Sequence, residues 1–597
     1  MKEFLKGKFT TLYFFYQYIG AKLYVIFGLS SLMVLMDSVG LALFIPLLQI
    51  ADGKSNSLDS SEGKIEIFVN NLFQQIGLSL TIPNMLLFII LIFLLKGFFY
   101  YYSSKFNALA QQTVLLRMRT RMANSIKNLN FKEFVMSDIG RLQNTIMAEM
   151  WYVVNASMQY LDTIKNVLFV VIYLSFAIYM DWRFSLLVII GGALVNWIYK
   201  FYYVRTQELS RAITKNNHRY GAIVIEVINH YKYFKATGRS VNFFGRLQKE
   251  LESLVNSNIS VAKLNAKLAA FREPMTIIIV CAVILLHVQV FKSPLSQVMV
   301  ILLFFYRVMQ KIVDIQTSWN GYLSQIGAVE NVMDFQQYLD NNKDNFYVGT
   351  GEITKINNIS LADISVSYND VKVLDRVNLS IEKNKSVAFV GESGSGKTTL
   401  VNLITALLPF DEGMFTVNDS SIKNYNIESY RGKIGYISQE PTIFNGTIFE
   451  NITFWAERTP ENLQKFYEVI KMCSLENFLN DLADQENTLL GNNGLNISGG
   501  QKQRISIARE LFRDVDILIM DEATSALDSE TENSIRESLE LLQGKITIIS
   551  IAHRLSTVRT ADCLYLMDKG KIVASGDFEE LKNKSTYFRR LTELQGM

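Results

Sequence analysis

Cysteine, proline and histidine are scarce in this chain, whose 597 residues include only 3 Cys, 7 Pro and 4 His. Cys281, Cys473 and Cys563 have neither the paired spacing of a disulfide framework nor the spacing of a zinc site, so we expect ordinary buried thiols in a reducing compartment. The net charge is only +3, which gives no broad basic field for nucleic acid. These features argue against a disulfide scaffold and against a nucleic-acid partner.

Apolar residues are abundant but unevenly distributed. Mean hydropathy is +0.16, the chain holds 39 Phe and 28 Tyr, and the apolar excess lies almost wholly before Asp340. We therefore predict a transmembrane domain at 1–340 and a soluble domain at 350–597, where short β-branched strands alternate with Asn/Asp turns. The first 20 residues lack a signal-peptide cleavage site, so we predict a juxtamembrane approach helix there.

Six apolar stretches are long enough to cross a bilayer, which takes about 20 helical residues. They occupy residues 23–50, 85–102, 154–180, 184–204, 275–291 and 295–315. Basic residues concentrate in the connections 103–151 and 205–274 and are few in the others. The positive-inside rule then predicts that both termini and the soluble domain are cytoplasmic. We expect an integral protein of a bacterial inner membrane.

The two basic connections each hold about 50 residues or more with few Gly or Pro, which exceeds ordinary loop lengths. We predict that the spanning helices continue into the cytoplasm and turn at coupling tips near 131–140 and 217–227. On the outer side, apolar residues within 65–77 recur at helical spacing, which predicts a short amphipathic helix. Two interpretations of that helix remain open, namely structural packing and a part in handling a substrate.

A glycine-rich loop joins the predicted strand 386–390 to the apolar helix 400–408. The loop residues are Gly391, Ser393, Gly394, Ser395, Gly396, Lys397, Thr398 and Thr399. Its glycines let backbone N–H groups turn towards phosphates, Lys397 neutralises their charge, and Thr398 offers a hydroxyl to Mg²⁺. Because strand, loop and helix follow in the required order, we predict that the soluble domain binds ATP and Mg²⁺.

A second buried strand, 517–520, ends in two acids, Asp521 and Glu522. Beside a phosphate-binding loop, Asp521 is expected to hold Mg²⁺ and Glu522 to polarise the attacking water. The alternative is a helix-capping acid followed by a surface acid.

The segment Ser498, Gly499, Gly500, Gln501 resembles the signature motif of ABC-transporter ATPases and lies just upstream of the Asp521 strand, as that family requires. The resemblance extends over the whole chain, because six spans followed by such a cassette is the layout of a type IV ABC exporter. It implies a polytopic α-helical membrane domain, with long cytoplasmic helix extensions, fused to an α/β P-loop ATPase domain.

The resemblance also implies roles for individual residues. Tyr368 matches the aromatic that stacks on adenine, although a core tyrosine is the alternative. Gln439 matches the Q-loop glutamine that senses Mg²⁺ and the membrane domain, Asp528 belongs to the D-loop, and His553 matches the switch histidine at the γ-phosphate. One position departs from the family pattern: Asn492 stands where an acid is usual, which puts in doubt an ion pair with the coupling tips.

Each P-loop in this family is closed by a signature segment from another cassette, so the resemblance implies a second chain. We expect a second copy of this chain, which gives two composite ATP sites, and a heterodimer is the alternative. The expected cycle is alternating access, driven because ATP binds well only to the closed state. A mechanical ATPase of DNA repair or translation would lack the apolar stretches. A multidrug or small hydrophobic-molecule exporter remains the alternative to a lipid exporter.

Cations within the apolar stretches suggest the substrate. Lys96 and Arg307 are each about 17–18 Å from the outer end of their predicted span, at 1.5 Å per residue, so both are expected at similar depth. Arg272, at the inner end of the fifth span, extends the set. Intramembrane charges usually face a cavity or a partner, and Arg matches phosphate oxygens. With the outer amphipathic helix, this pattern resembles the lipid-linked oligosaccharide flippase branch of the lipid exporters, which implies a (pyro)phosphate-linked lipid substrate. Snorkelling of these cations to the inner head groups is the alternative.

Overall fold

A computed structural model describes residues 13–44, 47, 73, 75, 81–180, 182–289, 295–368, 371–521, 542–552 and 555–594. It divides into two compact units. The first comprises Met1–Leu129 and Met136–Lys343, and the second comprises Asp344–Met597 together with Asn130–Val135.

The first unit is helical throughout its described part, with six helices of more than 20 residues. Residues 13–19 are helical, and the helices with defined bounds up to residue 341 are α1 Lys22–Ala42, α2 Ile82–Lys127, α3 Phe131–Met136, α4 Ile139–Asn144, α5 Met150–Met180, α6 Trp182–Asn229, α7 Tyr231–Thr237, α8 Ser240–Gln289, α9 Leu295–Leu323 and α10 Ile326–Asn341. A π-helical turn, Thr145–Glu149, joins α4 to α5. By length and composition, three helices of the described part are apolar enough to cross a membrane, at Lys22–Ala42, Ile82–Lys127 and Gly140–Tyr179.

The predicted extension of the spans beyond the membrane is confirmed. Helix α2 has 46 residues, α6 has 48 and α8 has 50, so each is about 70 Å long, whereas the hydrocarbon core is about 30 Å thick. The predicted fourth, fifth and sixth spans fall on α6, α8 and α9.

The second predicted tip was wrong. Residues 217–227 lie inside α6, and the chain turns later, at His230 and at Gly238, whose left-handed φ of 67° ends α7. Small residues in 217–227 allow close helix packing: a Cβ on Gly140 would lie 3.1 Å from the Cα of Ala222. The first predicted tip, 131–140, holds α3 and the start of α4.

A buried acid links the extensions within the first unit. Glu149, at the end of the π-helical turn, is 2% exposed and accepts a hydrogen bond from Asn331 Nδ2 on α10 at 2.5 Å. His218 Nε2, on α6, lies 2.5 Å from the other carboxylate oxygen. This network ties α6 and α10 to the start of α5.

The predicted outer helix 65–77 lies outside the described residues except for Phe73 and Gln75. Phe73 is buried, and its ring centroid lies 5.3 Å from that of Phe88 on α2. At this one position, the segment packs against a spanning helix.

The second unit contains two sheets. Their strands are β1 Asn358–Tyr368, β2 Val371–Glu382, β3 Ser386–Val390, β4 Glu412–Val417, β5 Ser420–Ser421, β6 Ile434–Ile437, β7 Ile517–Asp521, β8 Thr547–Ile551, β9 Cys563–Asp568 and β10 Lys571–Gly576. The described helices of this unit beyond residue 343 are α11 Lys397–Ile404, α12 Ile427–Arg431, α13 Ile448–Thr453, α14 Pro460–Met472, α15 Glu476–Asn480, α16 Gly499–Phe512, α17 Phe578–Lys584 and α18 Thr586–Leu594.

The larger sheet positions the site. Its strand order is β10-β9-β3-β8-β7-β6, and β9, β3, β8, β7 and β6 run parallel. Strand β3 is buried along its whole length, as expected of a continuous apolar run inside a parallel sheet. The carboxyl ends of these parallel strands therefore meet at one edge, where ligands of open α/β sheets bind. The smaller, antiparallel sheet has the order β2-β1-β4-β5.

Candidate functional site

The loop after β3 is shaped by its glycines. Gly391 has a φ of 156°, and a Cβ there would lie 2.3 Å from the carbonyl oxygen of Met567. Gly396 has a φ of 101°, caps α11, and would carry a Cβ 3.0 Å from the Leu374 side chain. Side chains are therefore excluded at both ends of the loop, and its backbone turns tightly into the helix N-terminus.

The side chains of the loop suit a phosphate ligand. Lys397 is 5% exposed, and its Nζ donates to the carbonyl oxygens of Gly391 at 2.7 Å and Glu392 at 2.9 Å. The buried Ser395 hydroxyl has no hydrogen-bond partner among the described residues, and Thr398, in the first turn of α11, is exposed. A buried hydroxyl without a partner and an ammonium group above a glycine loop fit a bound phosphate chain.

Two further predicted residues lie at the same sheet edge. Asp521 ends β7 and pairs in register with Ile551 of β8, which in turn neighbours β3. Gln439 follows β6 by two residues and is exposed. Tyr436 Oη donates to Asp521 Oδ2 at 2.9 Å, and burial, together with this carboxylate, raises the pKa of Tyr436 above its usual value. The phenol therefore stays protonated and orients the carboxylate.

Tyr368 ends β1 opposite Val371, the first residue of β2. Its ring is half-buried, and burial raises the pKa of the phenol. The Lys132 ammonium, from the Asn130–Val135 segment of this unit, lies 5.6 Å from the ring centroid. Strand β2 reaches the glycine loop, because the Val373 carbonyl oxygen would lie 3.2 Å from a Cβ on Gly396. The hairpin therefore links Tyr368 to the phosphate loop.

The predicted signature residues begin helix α16. Ser498 is the N-cap, its hydroxyl accepts from the Gln501 backbone N–H at 3.3 Å, and the Gln501 side chain accepts from the Ser498 N–H at 2.8 Å. This capping box satisfies two otherwise unpaired donors and orders the helix start, where Gly499 and Gly500 follow. A helix N-terminus of this kind favours an anion in front of it.

Helix α16 is anchored by Arg509, which sequence reasoning missed. The Arg509 side chain donates to the Asn451 carbonyl oxygen at 2.6 Å, to the Thr442 carbonyl oxygen at 2.8 Å and to Asn451 Oδ1 at 3.0 Å. Its guanidinium carbon lies 4.8 Å from the centroid of Phe444. The signature helix and the segment that follows Gln439 are thus held together.

In the first unit, two of the three predicted substrate cations meet at one acid. Asp37, on α1, is 2% exposed; it forms an ion pair with Lys96 of α2, and its Oδ2 lies 3.8 Å from Arg307 Nε of α9. Tyr173 of α5 donates to the same carboxylate. The predicted common depth of Lys96 and Arg307 agrees with this contact.

Two family models match the chain. The family described as ABC transporter matches residues 374–525, and the family described as ABC transporter transmembrane region matches residues 49–313. The Heterocyst differentiation ATP-binding protein HepA of Nostoc sp. is 31% identical over 477 residues, which is 79% of this chain and 77% of that protein. The chain belongs to the ABC transporter family.

Two further similarities cover most of the transporter. The ATP-dependent lipid A-core flippase of Pasteurella multocida is 27% identical over 493 residues, covering 81% of this chain and 83% of that protein. The solved structure of a bacterial Atm1-family ABC exporter with ATP bound covers 96% of this chain and 98% of its own, at 19% identity and a TM-score of 0.79. The fold predicted from the sequence is confirmed. The chain is an integral membrane ABC exporter with an ATP-binding, ATP-hydrolysing domain.

Several predicted site residues fall outside the described part of the transporter. These are Glu522, Asp528 and His553. The side chains of Arg272 and Asn492 are likewise outside it, although Asn492 begins a 3₁₀ turn. Their roles stay predictions.

Sequence reasoning also missed Asp37. The available signal was simple, since Asp37 is the only charged residue in the predicted span 23–50. A lone intramembrane acid calls for a cationic partner, and Lys96 and Arg307 were the candidates already identified.

Proposed function

We propose that this exporter moves an amphipathic lipid with a phosphate or pyrophosphate head, such as a lipid-linked oligosaccharide, across the membrane. The observation that carries the proposal is the cluster of Lys96 and Arg307 around Asp37. Two cations share one acid, so the cluster has one positive charge in excess. Excess charge at membrane depth is costly unless an anion binds there.

Arg307 is the cation best suited to such an anion. Its contact with Asp37 is long, at 3.8 Å, and its side chain is 36% exposed, whereas Lys96 is held directly and is 25% exposed. A guanidinium presents a planar fork of donors that matches phosphate oxygens. In this proposal, Lys96 is balanced by Asp37 and Arg307 contacts the lipid head.

The similarity to the ATP-dependent lipid A-core flippase of Pasteurella multocida supports a lipid substrate, because the name of that protein specifies the flipping of lipid A-core. The name of HepA specifies ATP binding and differentiation and no substrate. The lipid assignment therefore depends chiefly on the charge cluster.

The cassette residues supply the energy step in this proposal. ATP phosphates would be held by the glycine loop from Gly391 to Thr399 and by Lys397, with Tyr368 against the adenine. Mg²⁺, when bound, would neutralise phosphate charge, and Thr398, Asp521 and Gln439 are its candidate ligands. The exposed Thr398 hydroxyl and the Asp521 carboxylate oriented by Tyr436 support that assignment.

Hydrolysis in this proposal depends on residues that surround the γ-phosphate. Glu522 would polarise the attacking water and His553 would contact the phosphate. Each ATP site would be closed by the signature residues of a second copy, Ser498, Gly499, Gly500 and Gln501. Asp528 would lie at the junction between the two copies. A homodimer in a bacterial inner membrane, with the cassettes in the cytoplasm, would then alternate between inward and outward states.

The substrate assignment is tested with one variant that removes the excess positive charge and with a control variant that removes a balanced ion pair. Arg307→Gln leaves Lys96 paired with Asp37 and removes the excess charge. Losing a charge-assisted contact of about 2 kcal/mol should slow flipping of a fluorescent polyprenyl pyrophosphate in proteoliposomes roughly 30-fold, with basal ATPase activity retained. The control, Asp37→Asn with Lys96→Met, removes a cation and an anion together and should keep flipping.

Flipping at the wild-type rate in Arg307→Gln, with normal ATPase activity, would refute the anionic head. A hydrophobic drug-type cargo would then be preferred, and transport of a hydrophobic cation is the corresponding measurement.

A further inference from the structure

A second polar site lies within the membrane unit, away from the charge cluster. It is a cavity of about 350 Å³ among α5, α6, α8 and α9. Nine residues of the described part line the cavity, and none of these nine carries a charge. The polar side chains of the lining are Gln159, Tyr199, Asn265, Gln316, Thr317 and Asn320. Four of these six are amides.

Gln316 is the unusual member. It is 3% exposed, and neither its amide nitrogen nor its amide oxygen, both buried, has a hydrogen-bond partner in the described part of the chain. Folded proteins leave few buried polar groups unpaired, because each one loses its hydration without a replacement. An apolar residue of similar size would fill the same place more favourably, so stability alone does not account for Gln316.

The neighbouring amides are already oriented. Asn320 Nδ2 donates to Asn265 Oδ1 at 2.6 Å, and Thr206 Oγ1 donates to Asn320 Oδ1 at 2.9 Å. A Cβ at Gly321 would lie 3.1 Å from the Gln159 amide carbon, so a glycine there makes room for that amide. The wall is therefore pre-organised around Gln316, as in a binding site.

The cavity lies at a defined depth. Gln316 is 21 residues from the outer end of α9 at Leu295, and Gln159 is 21 residues from the outer end of α5 at Met180. Both are about 32 Å along their helices, which is close to the full thickness of the hydrocarbon core. Arg307 lies about 14 Å nearer the outer side on α9. The cavity is thus at the level of the inner head groups, on the cytoplasmic side of Arg307.

We propose that this cavity binds a neutral, hydroxyl-rich group, namely sugar attached to the lipid whose phosphate lies at Arg307; this inference rests on the proposed function. Each amide offers both donors and an acceptor, which matches hydroxyl groups that donate and accept. A charged group would find no opposite charge among the described lining residues. In a lipid-linked sugar the tail, the phosphate and the sugar follow one another from the membrane to the cytoplasm. Arg307, for the phosphate, and the cavity, for the sugar, lie in the same order.

The test compares binding of polyprenyl pyrophosphate with and without an attached disaccharide to the full-length protein in nanodiscs. The wild type should bind the glycosylated form about tenfold more tightly, the effect of roughly one well-made polar contact. Gln316→Leu should bind both forms with the affinity of the wild type for the bare lipid. Its melting temperature should be unchanged or higher, because the substitution removes an unpaired buried amide.

The matched control is Gln325→Leu. Gln325 Oε1 is also buried and has no partner among the residues that the structure describes, but Gln325 does not line the cavity, so the preference for sugar should persist. Gln316→Met repeats the test with another apolar side chain if the leucine variant folds poorly.

The remaining outcomes separate this inference from the proposed function. A wild-type preference for sugar in Gln316→Leu would overturn the sugar site while the lipid proposal stands. Free disaccharide that binds as tightly as the lipid-linked form would overturn the lipid source of the sugar. Failure of the wild type to bind either lipid would overturn the proposed function, and with it this inference.

Discussion

Replacing Arg509 by Met should damage the cassette more than any surface substitution on the same helix. Arg509 is 6% exposed and makes three hydrogen bonds, of 2.6, 2.8 and 3.0 Å, to Asn451 and Thr442. Bonds from a charged donor contribute about 1.5–3 kcal/mol each, and they are not additive. Met keeps the apolar stem but leaves two carbonyl oxygens unpaired, and it also removes the cost of burying a guanidinium. We expect a net loss of about 3 kcal/mol.

That loss should be visible as a melting temperature of the cassette lowered by about 6–12 °C in calorimetry, at roughly 2–4 °C per kcal/mol for a domain of this size. ATPase activity should also fall, because the signature helix and the segment after Gln439 would separate. Arg513→Met, at the residue that caps the C-terminus of α16, is the control. Arg513 is 42% exposed and donates one hydrogen bond, to Glu510 at 3.1 Å, so its loss should cost about 1.5 kcal/mol, roughly half the loss at Arg509.

The reasoning would be refuted if Arg509→Met melted with the wild type and hydrolysed ATP normally. In that case the free energy of the three hydrogen bonds would only cancel the cost of burying the Arg509 guanidinium. A low melting temperature with normal ATPase activity would contradict only the prediction that ATPase activity falls.

Two further predictions concern the ATPase residues. Glu522→Gln should keep ATP binding but lower turnover by several orders of magnitude, whereas Lys397→Ala should weaken nucleotide binding itself; wild-type hydrolysis in purified Glu522→Gln would remove Glu522 from the catalytic role. Asn492→Glu should raise or leave unchanged the substrate-stimulated ATPase rate, and Asn492→Ala should change it little. A severe loss in Asn492→Ala would show that this residue carries the coupling.

The glycine loop was predictable because its signals are local. Gly391 and Gly396 need backbone conformations and close contacts that side chains exclude, and Ser498 with Gln501 forms a cap within four residues. The extended helices were predictable for a similar reason, since hydropathy and the scarcity of helix breakers act over neighbouring residues.

Other features depend on residues that are distant in the chain. The turn at His230 and Gly238 was misplaced because the small residues near Gly221 serve contacts with α4, and composition does not distinguish close packing from a turn. The pairing of Asp37 with Lys96 and Arg307 joins three helices across 59 and 270 positions. Sequence patterns alone do not specify which side chains of different helices meet.

The same distinction applies to Gln316 and Arg509. In the sequence, Gln316 is one polar residue at the end of an apolar stretch and Arg509 is one basic residue on a helix. Only tertiary packing removes water from both, leaving the Gln316 amide unpaired in a cavity and giving Arg509 three acceptors. The sequence by itself determined the family, the spans and the phosphate loop, because these follow from short-range geometry and hydropathy. Burial and long-range pairing, which set the energy of each polar group, were decided by the tertiary structure.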